Sequence, residues 1–186
     1  MTRLGLNAPN LITLSRLLSV PLMIWLIVGA EFVAAFWVFI CAGVSDALDG
    51  FIAKRFDCRT ELGALLDPAA DKALLSSVYV ALGIAEHLPT WLVILVVFRD
   101  VMIVGGFVLI QSLSAPSKFD PLYISKINTL AQISLVAYVL ARLGLGFPDG
   151  EVTPVLVWVV ALTTLLSGAS YLVRWARILS GAEQPS

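Results

Sequence analysis

Six apolar stretches follow one another along the chain, near residues 9–29, 32–53, 62–84, 89–113, 125–146 and 152–178, with polar breaks between them. At 1.5 Å per residue, about 20 apolar residues in a helix cross the roughly 30 Å hydrocarbon core of a bilayer. The breaks carry turn chemistry: Gly29-Ala30-Glu31, Glu86-His87-Leu88-Pro89, and Gly144 to Pro154 with Pro148-Asp149-Gly150 inside it. The pattern predicts an all-α integral membrane protein with six transmembrane helices. One membrane domain is expected over 1–181, followed by a disordered tail at 182–186. The first stretch runs past Arg16 without a small-residue cleavage pattern, so it is expected to remain as a span.

Composition agrees with that reading. Hydrophobic residues make up 59% of the chain and charged residues 13%, too few to coat a water-soluble domain of this size. The net charge of -1 supplies no basic field for nucleic acid, so nucleic-acid binding is excluded. Two cysteines, Cys41 in an apolar run and Cys58 in a charged loop, support neither a disulfide framework nor a cysteine-based metal site. Arg3, Lys54, Arg55, Arg59, Lys118, Arg174 and Arg177 fall on one side of the predicted spans, while the opposite side holds Arg142 near a span end. The positive-inside rule makes the basic side cytoplasmic and places both termini there. Short loops without a presequence fit a bacterial inner membrane.

Charged groups inside spans cost roughly 2.5 to 3.5 kcal/mol each, so those present ask for a compensating role. Asp46 and Asp49 sit three residues apart near the end of the second span, and Asp67 and Asp71 four apart near the start of the third. Each spacing puts a pair on one helix face. A hairpin over 55–62 would bring the pairs to a similar depth, where four like charges repel unless cations lie among them. All-oxygen ligation suits hard divalent ions such as Mg²⁺ or Mn²⁺, and two ions would neutralise four carboxylates, an arrangement used in phosphoryl chemistry. The plainer alternative pairs the aspartates with Lys54, Arg55, Arg59 and Lys72 at the membrane edge. Gly50 and Gly63 would let a bulky phosphate or nucleotide approach the backbone, or would serve helix packing alone.

Written out, the segment is Asp46-x-x-Asp49-Gly50-x-x-Ala53-Lys54, eight residues, then Gly63-x-x-x-Asp67-x-x-x-Asp71. It resembles the signature of the CDP-alcohol phosphatidyltransferases, with Lys54 where that family has arginine; lysine keeps the charge but loses the bidentate fork, and Arg55 could share the contact. Pro9-Asn10-Leu11-Ile12-Thr13, with Arg16 and Pro21, is similar to the family's first span. The resemblance implies a bundle of six spans, a divalent metal cofactor, and transfer of a phosphatidyl or related group from a CDP-linked donor, here CDP-diacylglycerol, to an alcohol, with release of CMP. It implies that Asp46, Asp49, Asp67 and Asp71 hold metal, that Asp71 is also the general base, and that Gly50, Lys54 and Gly63, with Asn10 and Thr13, contact substrate.

The acceptor is read from Arg99-Asp100 in the fourth span and from Ser125-Lys126-x-Asn128-Thr129-x-x-Gln132 opening the fifth. These segments resemble the CMP-forming cardiolipin synthase branch, which implies phosphatidylglycerol as acceptor; the phosphatidylglycerophosphate synthase branch, using glycerol 3-phosphate, is the alternative. Arg99 and Lys126 are the candidates for holding the acceptor. Arg99 is expected to face the bundle interior, with Asp100 or a residue of another helix as its partner, and Arg99 and Asp100 could equally form a structural clamp. Lys126 could instead be an interfacial anchor. His87 is expected to be a solvated loop residue. A cation-binding membrane transporter is a reading of another class, weakened because the aspartates gather at one face only. Gly105, Gly106, Gly168 and Ala169 permit close helix contact, either in a homodimer or within one chain.

Overall fold

The computed structural model describes the backbone of residues 8–56, 61–112 and 123–180, and the side chains of 18–45, 72–106, 123–177 and 180. The described chain is all α: α1 (Ala8–Val28), α2 (Phe32–Phe56), α3 (Glu61–Ile84), α4 (Thr90–Ser112), α5 (Tyr123–Leu145) and α6 (Val152–Leu179). These bounds follow the apolar stretches within a few residues. The largest difference is the predicted 55–62 hairpin, which is shorter because α2 continues to Phe56 and α3 begins at Glu61. Among the described residues two helices, over Tyr123–Leu145 and Val152–Arg177, are long and apolar enough to cross a membrane.

The helix ends have identifiable causes. After α1, Ala30 adopts a left-handed conformation (φ 57°) and the Glu31 amide donates to the Leu26 carbonyl at 2.8 Å. After α3, Glu86 does the same (φ 60°), with the His87 amide donating to the Leu82 carbonyl at 2.9 Å. Both are six-to-one closures that satisfy carbonyls a helix terminus would otherwise orphan. At the start of α6, the Asp149 carboxylate accepts from the Thr153 amide at 3.2 Å and from its hydroxyl at 2.5 Å, and Pro154 falls in the first turn, where its missing N–H costs nothing.

The chain forms two compact units. The first comprises Met1–Leu88 and Val136–Pro148, the second Pro89–Leu135 and Asp149–Ser186. In the first, α1 packs against both α2 and α3. Its described interior is apolar: Met23, Ile27, Ala35, Val78, Tyr79, Leu82, Val136 and Val139 are all buried. In the second, α4 packs on α6. Trp91 meets Trp158 at 5.5 Å between ring centroids, and a methyl on Gly168 would lie 3.5 Å from Met102, so α4 and α6 run parallel. Outward positions in this unit are apolar, among them Phe98, Val101, Leu130 and Leu165. An apolar exterior of this extent is what a lipid environment selects.

The turn at Glu86-His87 contradicts the expectation of a freely solvated histidine. His87 is half-buried, with its ring edge-on to Phe32 at 5.0 Å, because the six-to-one closure folds it back over the helix end. Burial, and then the positive charge of Arg142, hold its pKa below the ordinary imidazole value of about 6.5. The unfolded chain therefore takes up a proton that the folded chain resists, so the stability present above that ordinary value is lost as pH falls below it. Thermal unfolding in detergent should show this acid-side loss in the parent protein and less of it in His87→Gln. Equal pH dependence in the two proteins would refute the assignment.

Candidate functional site

The signature positions fall on the two helices that α1 holds together. Asp46, Asp49, Gly50 and Lys54 are α2 positions, and Gly63, Asp67 and Asp71 are α3 positions. Asp49 and Asp67 come about two turns from the facing helix ends at Phe56 and Glu61, and Asp46 and Asp71 about three turns, so the two pairs are set at matching heights along their helices. Asn10 and Thr13 are α1 positions. The side chains of all nine residues lie outside the described residues, as do the 57–60 connection and the 182–186 tail. As a donor set, four carboxylates on two helices match the oxygen ligation that hard divalent cations require.

The second unit holds a different arrangement. Every buried polar or charged side chain among the described residues belongs to it: Arg99, Asp100, Asn128, Gln132, Thr153, Thr164 and Ser167. Arg99 is 3% exposed and Asp100 8%. Arg99 Nη1 donates to Asp100 Oδ1 at 2.7 Å, and Nη2 donates to the hydroxyls of Ser125 at 2.6 Å and Ser167 at 2.5 Å. The Tyr171 ring lies below the guanidinium at 6.0 Å, within cation–π range. Burying an isolated arginine would cost several kcal/mol, and one ion pair, two hydroxyls and an aromatic face offset that. Both partners considered for Arg99 are therefore used: the neighbouring Asp100, and hydroxyls on α5 and α6. The long arginine reaches back along the helix to Asp100, although successive helix positions do not share a face.

One turn further along α5, Asn128 is fully buried and its Oδ1 accepts from the hydroxyls of Thr163 and Thr164, both at 2.9 Å. Ser125 thus meets Arg99 at the level of Ser167, and Asn128 sits at the level of Thr164, so α5 runs antiparallel to α6 within this unit. Lys126 lies on the outer face of α5, exposed, with its ammonium 5.4 Å over the Tyr123 ring. Ser167, Thr163, Thr164 and Tyr171 were not foreseen as members of this cluster. Their signal was present as hydroxyl positions spaced about one turn apart within the apolar run of α6.

The glycines of this unit are used within the chain. A methyl at Gly106 would collide with the Trp175 indole, and one at Gly168 would make ordinary contact with Met102 and Arg99, whereas Gly105 and Ala169 are exposed. Gly106 therefore lets α6 approach α4 closely, Gly168 faces the same contact, and Gly105 and Ala169 are small residues on the outer surface.

Comparison with known proteins settles the family, for the CDP-alcohol phosphatidyltransferase family model matches residues 6–166. The chain belongs to the CDP-alcohol phosphatidyltransferase family. Family members are membrane proteins that use a CDP-alcohol donor and an alcohol acceptor, and they are generally dependent on a divalent metal. The chain is 36% identical to the chloroplastic CDP-diacylglycerol–glycerol-3-phosphate 3-phosphatidyltransferase 1 of Oryza sativa subsp. japonica, across 93% of this chain and 58% of that protein. It is 35% identical to the CMP-forming cardiolipin synthase of Homo sapiens, across 88% of this chain and 60% of that protein. It is 41% identical to the CMP-forming cardiolipin synthase of Streptomyces coelicolor, across 53% of this chain and 48% of that protein. The chain thus spans 58% and 60% of the length of the rice and human relatives.

Proposed function

We propose that the protein transfers a phosphatidyl group from CDP-diacylglycerol to a hydroxyl of phosphatidylglycerol, forming cardiolipin and releasing CMP. The observation that carries the reaction is the spaced set Asp46, Asp49, Asp67 and Asp71 on two helices of a family member. In this reading those carboxylates hold two divalent ions, Mg²⁺ or Mn²⁺. When bound, such ions neutralise the diphosphate and stabilise charge developing on the leaving group. Gly50 and Gly63 leave room for the nucleotide and diphosphate, Lys54 contributes a positive charge beside them, and Asn10 and Thr13 contact the donor from α1. Asp71 accepts the proton of the attacking hydroxyl, whose oxygen forms the new bond to phosphorus as the bond to CMP breaks.

Arg99 and Lys126 hold the acceptor. Asp100 already balances the Arg99 charge through the 2.7 Å ion pair, so Lys126 leaves a net single positive charge among these three residues. That matches the single negative charge of a phosphodiester such as phosphatidylglycerol better than the near-dianion of a phosphate monoester. Glycerol 3-phosphate is the second candidate, supported by the glycerol-3-phosphate enzyme of rice among the relatives. We further propose one domain over 1–181 spanning a bacterial inner membrane six times, with both termini cytoplasmic, the 182–186 tail disordered, and a homodimer as the assembled form.

Purified protein with Mg²⁺ or Mn²⁺ and CDP-diacylglycerol is expected to release CMP only on addition of an acceptor, and cardiolipin should be the product lipid identified by mass when phosphatidylglycerol and glycerol 3-phosphate are offered together. Exclusive formation of phosphatidylglycerophosphate would transfer the assignment to the glycerol 3-phosphate reaction. CMP release surviving thorough chelation would overturn the metal mechanism.

A further inference from the structure

Among the buried nitrogens of the second unit without a hydrogen-bond partner among the described residues are Arg99 Nε, Asn128 Nδ2 and Trp175 Nε1, and the first two lie beside the polar positions of α5. Arg99 is 3% exposed and Asn128 0%. Leaving a buried donor unsatisfied is costly, and native interiors hold few of them. The contrast with their neighbouring atoms is informative. The other end of the Asn128 amide is held by two hydroxyls, and the Arg99 Nη atoms make three hydrogen bonds. Thr163 and Thr164 fix the amide plane through Oδ1 and so turn Nδ2 away from themselves.

The two donors belong to neighbouring polar clusters on the same helices and differ in character. Arg99 bonds to Ser125, and Asn128 follows three residues later along α5, a rise of roughly 5 Å. A cationic N–H prefers an anionic oxygen, whereas a neutral amide N–H within a turn of it suits an uncharged hydroxyl oxygen. A phosphate with a hydroxyl a few bonds away satisfies both. Each acceptor considered above contains a glycerol unit with phosphate at one end, the reacting primary hydroxyl at the other and a secondary hydroxyl between them.

We infer that Asn128 binds the non-reacting secondary hydroxyl of the acceptor's glycerol unit, orienting it while Arg99 takes the phosphate. This rests on the phosphatidyltransferase reading and adds to it a specificity-determining residue. Thr163 and Thr164 are then positioning residues that hold the amide with its N–H toward the ligand.

The test is Asn128→Leu, which keeps the branched shape and heavy-atom count of the side chain, adds some volume, and removes both ends of the amide. Thr163 retains the Val159 carbonyl at 2.9 Å as an alternative acceptor, so its hydroxyl stays bonded. The acceptor KM should rise about tenfold, the donor KM should stay within about twofold, and the thermal midpoint should fall only modestly, because the acceptor lost by the Thr164 hydroxyl is partly offset by removal of an unsatisfied buried donor. The parent protein should lose a similar factor with an acceptor whose glycerol is replaced by 1,3-propanediol, which keeps the reacting hydroxyl; the variant should not distinguish the two acceptors. An unchanged acceptor KM, or equal discrimination between the acceptors in both proteins, would overturn the proposal and leave Asn128 as a bundle clamp bonded to water. If Asn128→Leu does not fold, the comparison of the two acceptors is repeated with Asn128→Ala. Absence of CMP release by the parent with every acceptor would instead sink the underlying transferase reading.

Discussion

Asp71→Asn is expected to lower turnover roughly 10²- to 10⁴-fold, the range removed with a general base, while CDP-diacylglycerol still binds. The substitution preserves shape and one oxygen but removes the carboxylate proposed to accept the proton of the attacking hydroxyl. Asp46, Asp49 and Asp67, the other proposed ligands, remain to hold cations against the donor diphosphate in that reading. The measurement pairs CMP release at saturating acceptor with thermal stabilisation by CDP-diacylglycerol in detergent. Turnover within tenfold of the parent protein would show that the proton leaves by another route. Loss of donor binding together with turnover would make Asp71 principally a ligand.

Arg99→Ala is expected to destabilise the protein by about 3–5 kcal/mol, the cost typical of breaking a buried ion pair from one side. The pair is 2.7 Å long with side chains 4% and 10% exposed, so solvent screening offers little relief. Removing the guanidinium also deprives the Ser125 and Ser167 hydroxyls of their donor. The double replacement Arg99→Ala with Asp100→Ala should recover a large part of the lost stability, because no uncompensated carboxylate is left behind. Neither protein is expected to use acceptor efficiently, since both lack the arginine. Thermal midpoints of the two single variants and the double variant complete the cycle, and an Arg99→Ala midpoint matching the parent would show that the pair contributes nothing to folding.

The two experiments separate the roles read for the two parts of the chain. In the proposed reading Asp71 acts on turnover through the chemistry of one proton, whereas Arg99, which ties three helices together, would also serve acceptor recognition. A residue carrying both roles is expected where a buried charge must be stabilised by the fold before it can serve a ligand.

Much of the architecture was legible from residue order. Helix bounds emerge because an apolar run of about 20 residues leaves its backbone no partners in lipid except its own carbonyls. The aspartate signature was legible because the spacing of carboxylates along two helices is a local property. The meeting of Arg99 with Ser167 was not, since residues 68 positions apart come together only through the parallel packing of α4 on α6. The closeness of that packing depends on Gly106 accommodating Trp175, a fit between shapes that no run of single-chain positions records. His87 was misjudged for a similar reason: a polar residue in a turn is ordinarily solvated, but here the backbone closure lays its ring against Phe32.

Sequence by itself determined the helices, the family and the carboxylate spacing, because each follows from local composition and period. Tertiary structure alone decided that one unit has an apolar described interior while the other collects the buried polar groups, and that the Asn128 amide has one end bonded and the other open. Hydrogen-bond satisfaction is a relation between distant residues, and it exists only once the helices have packed.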